Sequence, residues 1–229
     1  MLDCLVIAPH PDDAELGAGG LILQLKAEGR RVGVLDLTNG EPTPHGNPEL
    51  RRRETEEATR ILQLDWRDNL GLPNRSLQAT LEARRQLSSV LRQVRPTWLL
   101  APYWIDAHPD HVAATALIED ARFWAKLTNT DLPGEPHHPA RIFYYYCVHL
   151  RLAAQPAFVL DISEHWQAKM AAIACYRSQF ITGRDGDSPT FLEQLRDEAA
   201  HWGRLIGARY GEPFASREPI RLNRLDGLS

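Results

Sequence analysis

Cysteine is scarce in this chain. Cys4, Cys147 and Cys175 are the only 3 among 229 residues, and their odd number and wide spacing exclude a disulfide framework, a C-x-x-C redox motif and a cysteine-rich zinc knuckle. Long apolar runs are missing as well: residues 4–9 and 98–104 are strand-sized, against the about 20 residues that a membrane-spanning helix needs. Neither charge dominates. The 26 Lys and Arg stand against 30 Asp and Glu, a formal net charge of -4 with the signs interspersed, which leaves no basic footprint for nucleic acid. Asp3 follows Met1 and Leu2 directly, without the basic and apolar stretches of a signal peptide. The expectation is a cytoplasmic protein with free thiols, with neither a membrane nor a nucleic acid as partner. What remains is ordinary globular material, 43% hydrophobic and 24% charged, enough for a single α/β domain over residues 1–229. It carries 9 histidines. A metal here would be held by imidazole and carboxylate.

Strand and helix signals alternate from the start. Residues 2–8 form a short apolar run that stops at Pro9, and residues 14–28 read as a helix with Gly29 as its stop. Residues 30–38 are a second buried strand, followed by a polar loop over 39–48. Asn47, Pro48 and Glu49 then give an N-cap, a proline at the first helical position and an acid in the first turn, opening a helix to about residue 63. An extended piece at 66–70, a helix at about 80–93, a strand at 97–101 and a helix at about 109–126 follow. The proline-rich stretch 128–139 reads as a surface excursion. Strands at 142–148 and 158–162 and helices near 164–176 and 189–210 complete the pattern, the last with Ser188 and Pro189 as cap and first residue. Residues 211–229 read as an irregular tail. Runs apolar on both faces alternating with helices predict a three-layer α/β/α fold with a largely parallel, Rossmann-like sheet.

Such sheets bind ligands at the carboxyl ends of strands, near a topological switch point. Two loops at such ends crowd His and Asp together: His10-Pro11-Asp12-Asp13 after the first strand, and His108-Pro109-Asp110-His111 after the strand at 97–101. His10 and Asp13, three apart across a turn into a helix, can face one point, and His111 can supply a third ligand. Two imidazoles and a carboxylate suit Zn2+ with an open position for water, and the same set accepts Fe2+, Co2+ or Mn2+. Asp12 is then free to be a general base, His108 to stabilise an oxyanion or protonate a leaving group, and Asp110 to orient His108. Each cluster alone has a plainer reading as a turn or helix start, with Asp12 or Asp13 as cap. Gly17, Gly19 and Gly20 do not make a dinucleotide fingerprint, because Ile22 stands where the third glycine belongs; close packing inside a helix accounts for them. No P-loop, G-x-S-x-G elbow or H-E-x-x-H is present, which favours water as nucleophile.

At APHPDDAE (residues 8–15) and HPDH (residues 108–111) the sequence resembles the LmbE-like, or PIG-L, family of zinc-dependent N-acetylglucosamine deacetylases. LDLTNGE (35–41), ELRRRE (49–54), NLGLPNR (69–75), APYWIDAHPDH (101–111), VLDISEHW (159–166), YRSQF (176–180) and TGRDG (182–186) resemble the branch that deacetylates N-acetylglucosaminyl-malate in bacillithiol biosynthesis. The resemblance covers residues 2–190. It implies the LmbE-like fold, His10, Asp13 and His111 as zinc ligands, Asp12 as catalytic base, and His108 with Asp110 acting on the oxyanion and the leaving amine. It also implies Arg51 as a substrate-binding arginine, whose plainer reading is a solvated helix residue, and a homo-oligomer, often a hexamer in this branch. Two positions depart from the pattern: Ala107 replaces a basic residue before HPDH, and Phe191 stands nearest to where relatives have a tyrosine.

The remaining histidines have bland readings. His137 and His138 are solvated loop residues of the surface excursion, and His165 and His201 are helix-surface or structural residues. His45 lies in a loop that can rim a pocket, and His149 ends a strand and can face either way. Tyr144, Tyr145 and Tyr146 follow a core pattern, and Arg75 is divided between an anionic substrate and turn packing. The expected activity is metal-assisted hydrolysis of an N-acetylglucosaminyl-malate, releasing acetate. An inositol-linked, diacetylchitobiose or antibiotic-intermediate substrate is the first alternative, and a non-catalytic metal-binding protein, which has no need of Asp12, the second.

Overall fold

In the computed structural model, which describes residues 1–149, 155–184 and 186–221, the alternating apolar runs become one sheet covered on both faces. β1 (Cys4–Ala8), β2 (Val32–Thr38), β3 (Trp66–Leu72), β4 (Trp98–Pro102) and β5 (Arg141–Tyr145) are mutually parallel in the spatial order β3-β2-β1-β4-β5. β1 pairs with β2 on one side and β4 on the other, Cys4 lying opposite both Val32 and Trp98. The winding direction therefore reverses between β1 and β4, and this is the switch point. β1 and β2 are buried along their whole length, which is why they read as continuous apolar runs rather than alternating ones. Helices α1 (Asp13–Ala27), α2 (Pro48–Ile61) and α5 (Trp166–Ala174) pack on one face around Val6, Ile22 and Ala172. Helices α3 (Leu81–Val94) and α4 (Pro109–Ala125) pack on the other around Leu5, Leu91 and Leu117. No helix among the described residues is long and apolar enough to cross a membrane.

The far edge departs from expectation. Residues 211–229 do not form an irregular tail throughout: β7 (Gly211–Ala215) inserts between β5 and β6 (Phe158–Asp161) and runs antiparallel to both. Its five residues GEPFA carry a proline and one large apolar residue, so neither propensity nor periodicity marks a strand. Burial makes it one. Phe214 is fully enclosed, with Tyr145 opposite on one side and Phe158 on the other.

Helix ends follow local chemistry. Asn47 caps α2 as expected, accepting from the Leu50 N–H at 2.9 Å. The last helix, α7 (Phe191–Leu205), is capped by Thr190 rather than Ser188. Thr190 and Glu193 form a reciprocal capping box, which satisfies two orphan N–H groups where Ser188 could satisfy one. The helix near 164–176 ends at Ala174, and a short α6 (Arg177–Phe180) follows Tyr176. The proline-rich excursion is pinned by Arg92, whose guanidinium donates to the carbonyls of Ala125, Leu132 and Gly134.

Helix α1 is tied to β7 and α5 by a buried ion pair. Glu212 accepts from the N–H groups of Gly20 and Leu21 at 2.9 and 2.8 Å, and Lys169 donates to the Leu16 carbonyl at 2.7 Å and to Glu212 at 2.6 Å. Gly20 N–H and Leu16 C=O, which face each other in an uninterrupted helix, both have outside partners. The helix comes so close to its neighbours that a Cβ on Gly17 would overlap the Tyr145 ring, and one on Gly20 would overlap the Ile162 side chain. The close-packing reading of these glycines holds. A Gly17→Ala variant gains at most about 1 kcal/mol of helix propensity but overpacks a fully buried ring, and overpacking costs about 1–3 kcal/mol or more. A net loss of about 2 kcal/mol in urea-unfolding stability is expected, where an ordinary helix position would gain.

Candidate metal centre and active site

Both His/Asp loops leave the sheet at the carboxyl ends of β1 and β4, the strands that flank the switch point. Asp12 sits in the first loop with φ 127°, an unusual conformation for a residue with a side chain. It occupies the N-cap position of α1, yet its side chain makes no capping hydrogen bond. Its carboxylate instead accepts from Arg51 Nη1 at 2.8 Å. Asp13 Oδ2 turns back to accept from the His10 backbone N–H at 3.0 Å. The helix-cap reading of HPDD is therefore set aside.

Asp13 Oδ2 is also 3.1 Å from His10 Nδ1 and 3.3 Å from His111 Nε2. Ligand atoms of a tetrahedral ion with bonds of about 2.0–2.2 Å sit about 3.3–3.6 Å apart, so the Asp13 oxygen already stands from each imidazole nitrogen at nearly the spacing a metal would impose, and all three donors lie within 4.8 Å of one another. The opposite nitrogen of each imidazole faces a different carboxylate: His10 Nε2 lies 3.2 Å from Asp110 Oδ2, and His111 Nδ1 lies 3.2 Å from Asp106 Oδ2. This is the carboxylate–histidine arrangement that orients metal-binding imidazoles. His111 is buried, and neither ring nitrogen has an aligned hydrogen-bond partner. Two buried nitrogens against carboxylates without hydrogen bonds fit a site built for a cation.

The electrostatics agree. Burial pushes the Asp13 carboxyl up, but His111 and His10 outweigh it and hold it well below the usual range. Burial disfavours a charged His111, yet Asp13 overrides it and raises the imidazole strongly. The cluster thus attracts positive charge, a proton or a metal ion. Cys147 also lies near His111 and Asp106, but burial raises its thiol to about 11, so it stays a neutral, poor ligand. His10, His108 and Asp110 also bring ligand atoms within 4.8 Å of one another, but His108 Nδ1 is occupied by the Asp110 N–H and the Asp110 carboxylate by two backbone N–H groups; His10, Asp13 and His111 are the group with the freest donors.

The other expected residues surround this group. Burial pushes the Asp12 carboxyl up to about 7, against the pull of Arg51. His108 is the N-cap of α4, its Nδ1 accepting from the Asp110 backbone N–H at 3.2 Å. That bond leaves Nε2 as the protonated nitrogen of the neutral ring, and burial followed by His111 lowers its affinity for a second proton. Asp110 does not orient His108 through its carboxylate as expected. The carboxylate faces His10 and accepts from the N–H groups of Arg75 and Leu77 at 2.7 and 3.1 Å. Arg51 is buried rather than solvated: it donates to Asp12 and to the Pro11 carbonyl, with Glu41 Oε1 3.4 Å from Nε. It borders the cavity, but its charge is committed to Asp12.

A cavity of about 320 Å³ opens above the cluster, with His10, Asp12, His108 and His111 in its wall. A larger groove of about 740 Å³ between α2 and β3 shares Arg51 but none of the metal-binding groups. His149, undecided in the sequence, lines the smaller cavity, with its ring 5.6 Å from His108 and 5.7 Å from His111. Phe191 lines it too, stacked on Phe180 at 4.7 Å. His165 bonds Gln24 and Tyr145 bonds the Ile7 carbonyl in the core, as their bland readings require, whereas His137 is half-buried rather than solvated, its ring bonded to the Pro96 carbonyl. Asp106 escaped the sequence reading because a lone acid before HPDH carries no spacing signal of its own.

Comparison with known proteins places the chain in a family. The family model described as PIG-L, GlcNAc-PI de-N-acetylase, matches residues 5–122. A crystal structure of a conserved protein from Thermus thermophilus superposes with a TM-score of 0.88 at 42% identity, covering 97% of each chain. A diacetylchitobiose deacetylase from Thermococcus kodakarensis is 30% identical over 91% of this chain and 80% of its own length. A probable N-acetyl-alpha-D-glucosaminyl L-malate deacetylase 2 from Bacillus anthracis is 25% identical over 78% of this chain and 81% of its own. With the family model spanning both His/Asp motifs and the fold shared along almost the whole chain, this protein belongs to the PIG-L family of de-N-acetylases.

Proposed function

We propose that the protein is a divalent-metal-dependent N-deacetylase of N-acetylglucosaminides, with Zn2+ as the ion and N-acetylglucosaminyl-malate as the substrate. The observation that carries the reading is Asp12. Its buried carboxylate stands beside the His10–Asp13–His111 group, needed neither as a ligand nor as a helix cap, and held by Arg51. Family membership supports hydrolysis of an acetamide, and the Bacillus anthracis relative supports the malate glycoside. The Thermococcus kodakarensis relative favours diacetylchitobiose as the second reading. Fe2+, Co2+ or Mn2+ would suit the same nitrogen and oxygen donors.

His10, Asp13 and His111 would hold the ion. When bound, it supplies Lewis acidity that makes water a competent nucleophile at neutral pH and polarises the acetamide carbonyl. Asp12 takes the proton of the attacking water and returns it to the departing nitrogen. Burial raises the Asp12 carboxyl and the neighbouring positive charge of Arg51 lowers it, so the group is balanced between accepting and returning a proton. Arg51 fixes the Asp12 rotamer and so keeps the base distinct from the three residues that would hold the ion. His108 presents Nε2–H to the carbonyl oxygen as it gains charge, its tautomer set by the Asp110 N–H on Nδ1. Acetate and a free amine leave.

Acetate release by metal-reconstituted enzyme from N-acetylglucosaminyl-malate, diacetylchitobiose and an inositol-linked N-acetylglucosaminide tests the reading. The malate glycoside should give the highest kcat/KM; tight metal uptake with no acetate from any of the three would leave a metal-binding protein without this activity. Asp12→Asn should retain stoichiometric metal and lose about 10²–10⁴ in kcat. A rate near that of the wild type would remove Asp12 as base. Asp106→Asn, which removes the carboxylate facing the outer nitrogen of His111 and keeps an oxygen able to accept from the His108 N–H, should weaken metal affinity about 10–100-fold in chelator competition.

A further inference from the structure

The arginines at the cavity differ in what they can still bind. Arg51 is buried and its charge is met by Asp12 and Glu41. Arg75 and Arg184 line the same cavity but are exposed, and no buried acid holds either one. The Arg75 guanidinium donates to the Pro42 carbonyl and has no carboxylate among the described residues within salt-bridge distance. Arg184 Nε donates to the Gln179 carbonyl at 3.0 Å, and its described acidic neighbour is Asp187 at 3.5 Å, itself half exposed. The two anchors adjoin. Gln179 Nε2 donates to Thr43 Oγ1 at 3.0 Å, one residue from Pro42, so the segments to which the two arginines are anchored are hydrogen-bonded to each other in the wall of this cavity. Arg75 also starts from a fixed point: its backbone, at φ 62°, donates to the Asp110 carboxylate that faces His10. Beside it Asn74, also in the cavity wall, keeps a buried Oδ1 with no partner, an acceptor waiting for a hydroxyl.

We infer that Arg75 and Arg184 form an anion subsite that recognises carboxylates on the group linked to the N-acetylhexosamine, selecting glycosides of small hydroxy acids over neutral ones. The inference rests on the deacetylase reading for the direction of the substrate, acetamide at the His10–Asp13–His111 group and the linked group at the mouth. A guanidinium offers a planar fork that meets a carboxylate bidentately. Fully solvated, such a pair contributes little; at a partly enclosed mouth, two forks on one dicarboxylate add affinity and geometry together. A neutral linked group leaves both arginines hydrated, so selection works by attraction to the acid and weakens with salt.

Calorimetric binding of glucosaminyl-malate and methyl glucosaminide to metal-loaded wild-type protein and to Arg75→Met, Arg184→Met and Arg75→Lys separates the possibilities without relying on turnover. The wild type should bind the malate glycoside about tenfold or more tighter than the methyl glycoside, with the ratio shrinking as NaCl is raised. Each methionine variant should bring the ratio to within about threefold, and Arg75→Lys should recover part of it. Metal content should be equal in all four proteins. The subsite is overturned if the wild type shows no preference, if the methionine variants keep it, or if they lose both ligands in proportion. A wild type that prefers the acid but releases no acetate from N-acetylglucosaminyl-malate supports the subsite and removes the deacetylase reading.

Discussion

One oxygen atom joins two loops about 100 residues apart. Asp13 Oδ2 lies within 3.3 Å of His10 N, His10 Nδ1 and His111 Nε2, and it can do so because β1 and β4 are neighbours whose following loops diverge at the switch point. Everything else at the site is arranged around that contact. Asp106 and Asp110 face the outer nitrogens of the two imidazoles, and the Asp110 backbone sets the tautomer of a third, His108. The switch point brings the loops together; the outer carboxylates fix how the rings turn.

Behind this cluster the protein buries charge repeatedly. Arg67 forks onto Asp36 at 2.9 and 3.0 Å, reaches Glu15 at 2.6 Å and touches Tyr176 OH at 3.2 Å. The Tyr176 ring lies under the Arg51 guanidinium, which holds Asp12. Buried pairs of this kind are weak evidence for stability, since desolvation offsets much of the attraction, but breaking one partner is costly. Their effect is to leave few alternative positions for the first turn of α1. Lys169 and Glu212 do the same one turn further along. Helix α1 is held by ions because its glycines, needed for close approach, offer little side-chain surface to pack.

Much of this was legible in the sequence, for definite reasons. Continuous apolar runs marked β1, β2 and β4, and the two histidine-rich loops announced themselves by local spacing at strand ends. Asn47 and Pro48 marked α2 through chemistry confined to one turn. What could not be read depends on partners distant in the chain. Asp106 is the exception, only five residues from His111, and goes unread because a lone acid before HPDH carries no spacing signal. Asp110 faces His10, 100 positions away, rather than its neighbour His108. Arg51 reads as one of three similar helix arginines until its burial against Asp12 is known. β7 is a strand because a slot exists between β5 and β6, and no local pattern in GEPFA encodes the slot.

That slot also makes one wall of the cavity depend on a strand that comes after it in the chain. β6 touches the rest of the sheet through β7, and between β6 and β7 in the chain come α5, α6 and α7, which bring Gln179, Phe180 and Phe191 to the cavity wall. That wall is seated where residues 211–215 fill the slot, with Phe214 opposite Tyr145 and Phe158 and Glu212 bonded to the α1 backbone. β1 and β4, which carry the two histidine loops, pair with β2, β5 and each other rather than with β7. The imidazoles and the wall that encloses them therefore rest on different halves of one sheet.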